Sequence, residues 1–64
     1  MIGTQYVLAV TRARKVLKDR KRHRHTTVLP MHVLQQLAKD YEVTLTVHDV
    51  HRYDEYTSIV YEIN

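Results

Sequence analysis

The sequence predicts an α+β fold, with two helices followed by a C-terminal antiparallel β-hairpin in one small domain over residues 1–64. Up to about residue 41, apolar residues recur at the spacing of helical turns. From Val43 onward they alternate with polar residues, which is the period of a strand. Apart from one run of basic residues, no linker, internal repeat or low-complexity segment divides the chain.

The first helix is predicted from Thr4 to about Arg24. This stretch contains neither Gly nor Pro and is rich in Ala, Leu, Lys and Arg, which favour helices. Thr4 is the predicted N-cap, because its hydroxyl can accept a hydrogen bond from a free N–H of the first turn. At about 100° per residue, one face of this helix collects Tyr6, Ala9, Val10, Ala13, Val16 and Leu17.

Residues 5–11 also fit a strand, because Tyr6, Leu8 and Val10 alternate with the residues between them. The alternative architecture is therefore β-α-β-β, with an N-terminal strand followed by a basic loop or a shorter helix. Both architectures keep the second helix and the hairpin, so they differ only before the second helix.

The second helix is predicted over residues 28–41. Thr26 or Thr27 can cap its N-terminus, and Pro30 is compatible with a helix only in the first turn. One face repeats apolar residues at i, i+3 and i+4 spacing, namely Met31, Leu34, Leu37, Ala38 and Tyr41.

The hairpin is predicted over residues 43–63, a segment that is acidic overall. Pairing Val47 with Tyr61 and Leu45 with Ile63 places the apolar residues of both strands on one face. The turn then falls near Tyr53–Glu55. Because this turn lacks glycine, we expect a loop wider than a two-residue primed turn.

The small size of the chain predicts a homodimer. A domain of about 60 residues buries only about 60% of the surface that its unfolded chain exposes, and 64 residues without cysteine can form neither a disulfide nor a thiolate zinc site. A second copy, joined through hairpin edges or helix faces, would supply the missing burial.

The sequence also predicts an intracellular, cytoplasmic protein without a membrane span. No apolar run approaches the roughly 20 residues that cross a bilayer, and charged residues begin at Arg12, before any long apolar stretch. That order of residues is unlike a secretory signal peptide.

Charge is strongly polarised along the chain, although the net charge is only +3. The basic segment, residues 12–25, holds eight Lys or Arg against the single acid Asp19, a net charge of +7. The remaining residues hold two Lys or Arg against six acids, a net charge of −4. His23 and His25 also belong to the basic segment.

This segment predicts a small regulatory protein that binds DNA or RNA, because Lys and Arg that neutralise phosphates release condensed counterions. On one helix, Arg12, Lys15, Lys18 and Arg22 would form an outward stripe. Arg14, Arg20 and Arg24 are candidates for bidentate contacts to guanine or phosphate. The predicted nucleic-acid-binding residues are Arg12, Arg14, Lys15, Lys18, Arg20, Lys21, Arg22 and Arg24.

The order of helix, helix and hairpin resembles part of a winged helix-turn-helix architecture, in which one helix enters the major groove and the hairpin touches the backbone. Two features depart from that pattern. The second helix carries only His32 and Lys39 as basic groups, and the hairpin tip carries Asp54 and Glu55, which phosphates would repel. Any nucleic acid is therefore expected at the basic segment.

An alternative function is a small regulatory or inhibitory protein that docks the same cations on an acidic protein surface, or blocks an enzyme that processes nucleic acid. Binding to a membrane surface is a third alternative, but it would require the apolar face of the first helix to stay exposed.

The hairpin tip is a second candidate site, for a protein partner. Tyr53, Asp54, Glu55 and Tyr56 place two aromatic rings beside two acids, and tyrosines are common anchors at protein interfaces. The same acids could instead pair with the basic segment of the same molecule or of a symmetry mate, in which case they would regulate access to it.

Neither a metal site nor a catalytic site is predicted, and no cofactor is implied. His23 and His25 are two residues apart and would diverge on a helix, while His48 and His51 would face opposite sides of a strand. The sequence lacks a glycine-rich phosphate loop, a Gly-x-Ser-x-Gly motif and cysteine. We therefore expect a binding protein and not an enzyme.

Overall fold

A computed structural model describes residues 3–64, which form two helices and one antiparallel sheet. In chain order the elements are α1 (Gly3–Asp19), β1 (His25–Thr27), α2 (Met31–Asp40), β2 (Leu45–Arg52) and β3 (Thr57–Ile63). The strand order in the sheet is β1-β3-β2, so β3 lies in the centre. The α+β prediction is confirmed, but the sheet has a third strand, β1, in addition to the predicted hairpin.

Helix α1 covers residues 5–11, so the alternative with an N-terminal strand is wrong. The predicted N-cap is also wrong, because the helix already includes Thr4. The predicted apolar face is confirmed for Ala13 and Leu17, which are buried, and for Ala9, Val10 and Val16, which pack against them. This packing explains why the helical period prevails over the strand period of the same residues. The predicted face is wrong for Tyr6, which is exposed.

Helix α1 ends at Asp19 and not near Arg24. Arg20 adopts a left-handed backbone with φ of 52°. Its N–H donates to the Leu17 carbonyl at 3.3 Å, and the Lys21 N–H donates to the Val16 carbonyl at 3.3 Å. These two bonds form a Schellman motif, which ends the helix and turns the rest of the basic segment into a loop.

The chain after this loop pairs with the sheet before α2 begins. Thr26 and Thr27, the predicted caps, lie in β1, opposite Val60 and Ile59 of β3. Helix α2 therefore starts at Met31, after an extended Pro30, and not at residue 28. Tertiary pairing with β3 supplies hydrogen bonds that local sequence patterns do not reveal.

The predicted apolar face of α2 is confirmed, since Leu34, Leu37 and Ala38 are buried. The helix ends in a second Schellman motif. Glu42 adopts φ of 55°, its N–H donates to the Lys39 carbonyl at 3.1 Å, and the next N–H donates to the Ala38 carbonyl at 2.9 Å.

The predicted hairpin register is confirmed, with Leu45 opposite Ile63 and Val47 opposite Tyr61. A β-bulge follows, because Val47 and Asp49 oppose successive residues of β3 and leave the residue between them unpaired. The extra residue keeps Val47 and Val50 on the same face of the sheet. The turn lies at residues 53–56, near the predicted position.

The core lies between the helices and one face of the sheet, where β3 alternates buried and half-buried residues. Burial raises the pKa of Tyr61 above its ordinary value of 10.0, because the anion would lose hydration. The largest fully buried side chains are Leu17, Leu29, Leu34, Ile59 and Tyr61.

Across residues 3–64, neither helix has the length and apolar character required to cross a bilayer.

Candidate nucleic-acid interface

The eight predicted phosphate-contacting cations are all exposed, but they do not lie on one helix. Because α1 ends at Asp19, the predicted helical stripe through Arg22 is wrong. Four of the cations lie on α1, and the other four lie in the α1–β1 loop. The first group is Arg12, Arg14, Lys15 and Lys18, and the second is Arg20, Lys21, Arg22 and Arg24.

Two of the loop arginines have partners within the fold. Arg20 donates to the Tyr41 carbonyl at 3.4 Å, placing its positive charge at the C-terminus of α2, where the helix dipole favours a cation. Arg24 lies 4.0 Å from the Glu62 carboxylate of β3. Of the three arginines predicted to make bidentate contacts, only Arg14 makes no such side-chain contact within residues 3–64.

The other six cations have no carboxylate within 4.0 Å in the described part of the chain. They are Arg12, Arg14, Lys15, Lys18, Lys21 and Arg22. A solvated surface normally mixes charges of both signs. These unpaired charges therefore form a surface suited to an anionic partner.

A groove between α1 and β1 brings cations from two elements together. Arg12 and Lys15 of α1 face Lys21 of the loop and His25 of β1 across a volume of about 340 Å³. Apolar atoms complete the lining, with contributions from the buried ring of Tyr61. We call this feature the basic groove.

A second, larger cleft of about 470 Å³ continues from the basic groove toward the hairpin tip. The two share Arg12, Thr26 and Thr27, so together they form one continuous depression along α1 and the edge strand β1, which we call the seam. The second cleft, which we call the tip cleft, is lined at its hairpin end by Glu55 and Tyr56. Sequence patterns do not predict this seam, because it depends on the pairing of β1 with β3.

The hairpin tip carries a run of stacked aromatic rings. The Tyr53 and Tyr56 ring centroids are 4.6 Å apart with 23° between the planes, and the His51 ring lies 6.0 Å from Tyr53 at 22°. The Tyr53 N–H donates to the Tyr56 carbonyl at 2.8 Å and closes the turn. Both tyrosines remain exposed, by 53% and 43% respectively.

The tip acids do not pair with the basic segment. Within residues 3–64, Asp54 and Glu55 have no Lys, Arg or His nitrogen within 4.0 Å. Glu55 nevertheless lines the tip cleft together with Arg12. One seam therefore has a positive end and a negative, aromatic end.

The histidines form separate contacts. The rings of His23 and His25 lie 4.3 Å apart, in contrast to the predicted divergence, because neither residue is helical. His48 contacts Glu62 at 2.9 Å, and His51 contacts Asp49 at 3.3 Å. Among residues 3–64, no three His, Cys, Asp or Glu side chains are arranged to hold a metal ion.

Fold and surface together define a small α+β protein with a cationic seam that ends at an aromatic hairpin tip. Comparisons with protein-family models, with curated proteins and with solved structures give no match to this chain.

Proposed function

We propose that the protein binds nucleic acid through the exposed cations of α1 and the α1–β1 loop. The observation that carries the proposal is the set of six cations that have no carboxylate partner within residues 3–64. Phosphates are the ligands that such a surface favours, because each contact releases counterions from the nucleic acid.

The number of unpaired cations sets the expected salt dependence. If all six engage phosphates, the slope of log affinity against log salt is about −5 on a duplex and about −4 on a single strand. Arg20 and Arg24 contribute less to this slope, since their guanidinium groups already contact Tyr41 and Glu62.

Fluorescence anisotropy with a labelled oligonucleotide, repeated at several salt concentrations, tests the proposal. The paired reversal Lys15→Glu with Lys18→Glu should weaken binding and flatten the salt slope. The matched control compares two single reversals of equal charge, Lys18→Glu on α1 and Lys39→Glu on α2, because Lys39 lies outside both the basic segment and the hairpin tip. Equal losses from Lys18→Glu and Lys39→Glu, or a salt-insensitive signal, would contradict a localised interface.

An acidic protein would be attracted to the same cations, and this is the competing proposal. Pulldown from native lysate with and without nuclease separates the two. Loss of every partner after nuclease supports nucleic-acid binding, whereas one stoichiometric protein partner that survives nuclease supports a regulatory or inhibitory protein.

A further inference from the structure

We propose that the preferred ligand is single-stranded nucleic acid, whose bases stack on the Tyr53–Tyr56 ring pair while its phosphates follow the basic groove. This inference rests on the proposed function and specifies its substrate class. It depends on the aromatic tip and on the continuity of the seam, neither of which is needed for general phosphate binding.

The rings have the geometry of a stacking platform. The centroids of Tyr53 and Tyr56 lie 4.6 Å apart with 23° between the ring planes, so the two rings form a stacked pair. Their large exposure leaves ring surface uncovered in water, which a nucleobase can cover. Exposed aromatic rings beside a positive groove are the combination by which proteins bind single strands without strong sequence preference.

The seam connects this platform to the cations. Tyr56 lines the tip cleft with Arg12, and Arg12 also lines the basic groove with Lys15 and Lys21. Along α1, the seam runs from Gln5 to Val16, about 17 Å at 1.5 Å per residue. Bases stacked at about 3.4 Å would place roughly five nucleotides over that length.

A duplex fits this arrangement less well. Its bases are already stacked on their neighbours, so their faces are not available to Tyr53 and Tyr56 without the cost of unstacking. A single strand can bend from the groove to the tip and present free base faces.

The two acids at the hairpin tip determine which part of the nucleic acid lies there. Asp54 and Glu55 are exposed beside the two rings and repel phosphates, whereas an uncharged base can approach them. The backbone is therefore held toward Lys15 and Lys21, and the bases reach the tip.

The test compares a 12-nucleotide oligothymidylate with a 12-base-pair duplex at one salt concentration. Tyr53→Leu with Tyr56→Leu removes the aromatic faces, and Tyr53→Phe with Tyr56→Phe retains them as the matched control. Each lost stacking contact is expected to weaken single-strand binding by roughly fivefold to 150-fold. The Phe pair should stay within about twofold of the original protein, and duplex affinity should change little in either variant.

A second measurement does not depend on removing the rings. The chain has no tryptophan, so Tyr56→Trp introduces a single indole at the platform. Oligothymidylate should quench its fluorescence at saturation, and the duplex should leave it nearly unchanged, since only an unpaired base can stack on the indole.

The outcomes separate this inference from the proposed function. If salt-dependent binding persists while the Leu pair keeps full single-strand affinity and the indole is not quenched, the stacking inference is overturned and the phosphate interface stands. Tighter binding to the duplex than to the single strand also overturns it. Absence of binding to both oligonucleotides by the original protein overturns both proposals.

Discussion

Replacement of Glu42 by glycine should stabilise the protein, because the exposed Glu42 side chain makes no hydrogen bond or ion pair among residues 3–64 that the change would remove. Glu42 directly follows the C-cap of α2, Tyr41, and has a left-handed backbone with φ of 55°. For a residue with a Cβ this left-handed conformation is unfavourable by about 1–2 kcal/mol, whereas glycine adopts it freely. Glycine is the residue usually found at this position of a Schellman motif.

Two further effects contribute to the net change in the free energy of unfolding caused by Glu42→Gly. Glycine gives the unfolded chain more conformational entropy, which reduces the gain by about 0.4–1 kcal/mol. Removal of a carboxylate from the C-terminus of α2 adds about 0.3–1 kcal/mol, since the negative end of the helix dipole disfavours it. The expected net stabilisation for Glu42→Gly is about 1 kcal/mol.

The expected change in melting temperature follows from the chain length. Unfolding entropy of about 2.1 cal/mol/K per residue corresponds to about 0.13 kcal/mol/K for this chain, so Tm should rise by about 7 °C. Circular dichroism during thermal and urea denaturation measures the change. Glu42→Gln, which removes only the charge, should give a smaller increase. An unchanged or lower Tm for Glu42→Gly would refute the backbone argument.

Two other predictions concern the core and the assembly. Burial raises the pKa of Tyr61 above 10.0, so the folded protein favours the neutral phenol more than the unfolded chain does. This contribution to the free energy of unfolding is complete below pH 10 and is lost as pH rises through the raised pKa. Tyr61→Phe should therefore lose less stability above pH 10 than the original protein. Thermal melts of both proteins between pH 8 and 11 check this, and parallel curves would contradict it. The homodimer expected from the thin core should appear in sedimentation equilibrium as a species of twice the chain mass. The edge strand β2 could pair with the same strand of a second copy. A monomer at all micromolar concentrations would contradict this prediction.

Patterns within the sequence determined the apolar faces and the hairpin. Burial of Leu34 and Leu37 followed from helical spacing, and the pairing of Val47 with Tyr61 followed from strand alternation. These features were predictable because side-chain direction repeats with a fixed period in each type of element. The concentration of cations between residues 12 and 25 was equally visible, since charge is a property of composition.

Tertiary structure alone decided where the cations lie and what they face. Helix α1 ends at Asp19 because Arg20, which is not a glycine, adopts a left-handed backbone. Strand β1 forms because Ile59 and Tyr61 of β3 pair with its Thr27 and His25. Strand pairing between residues more than 30 positions apart leaves no local pattern in so short a strand. That pairing sets β1 beside α1 and so converts a run of basic residues into a groove leading to Tyr56. The sequence determined the charge of the surface, and the packing of α1 against the sheet determined its shape.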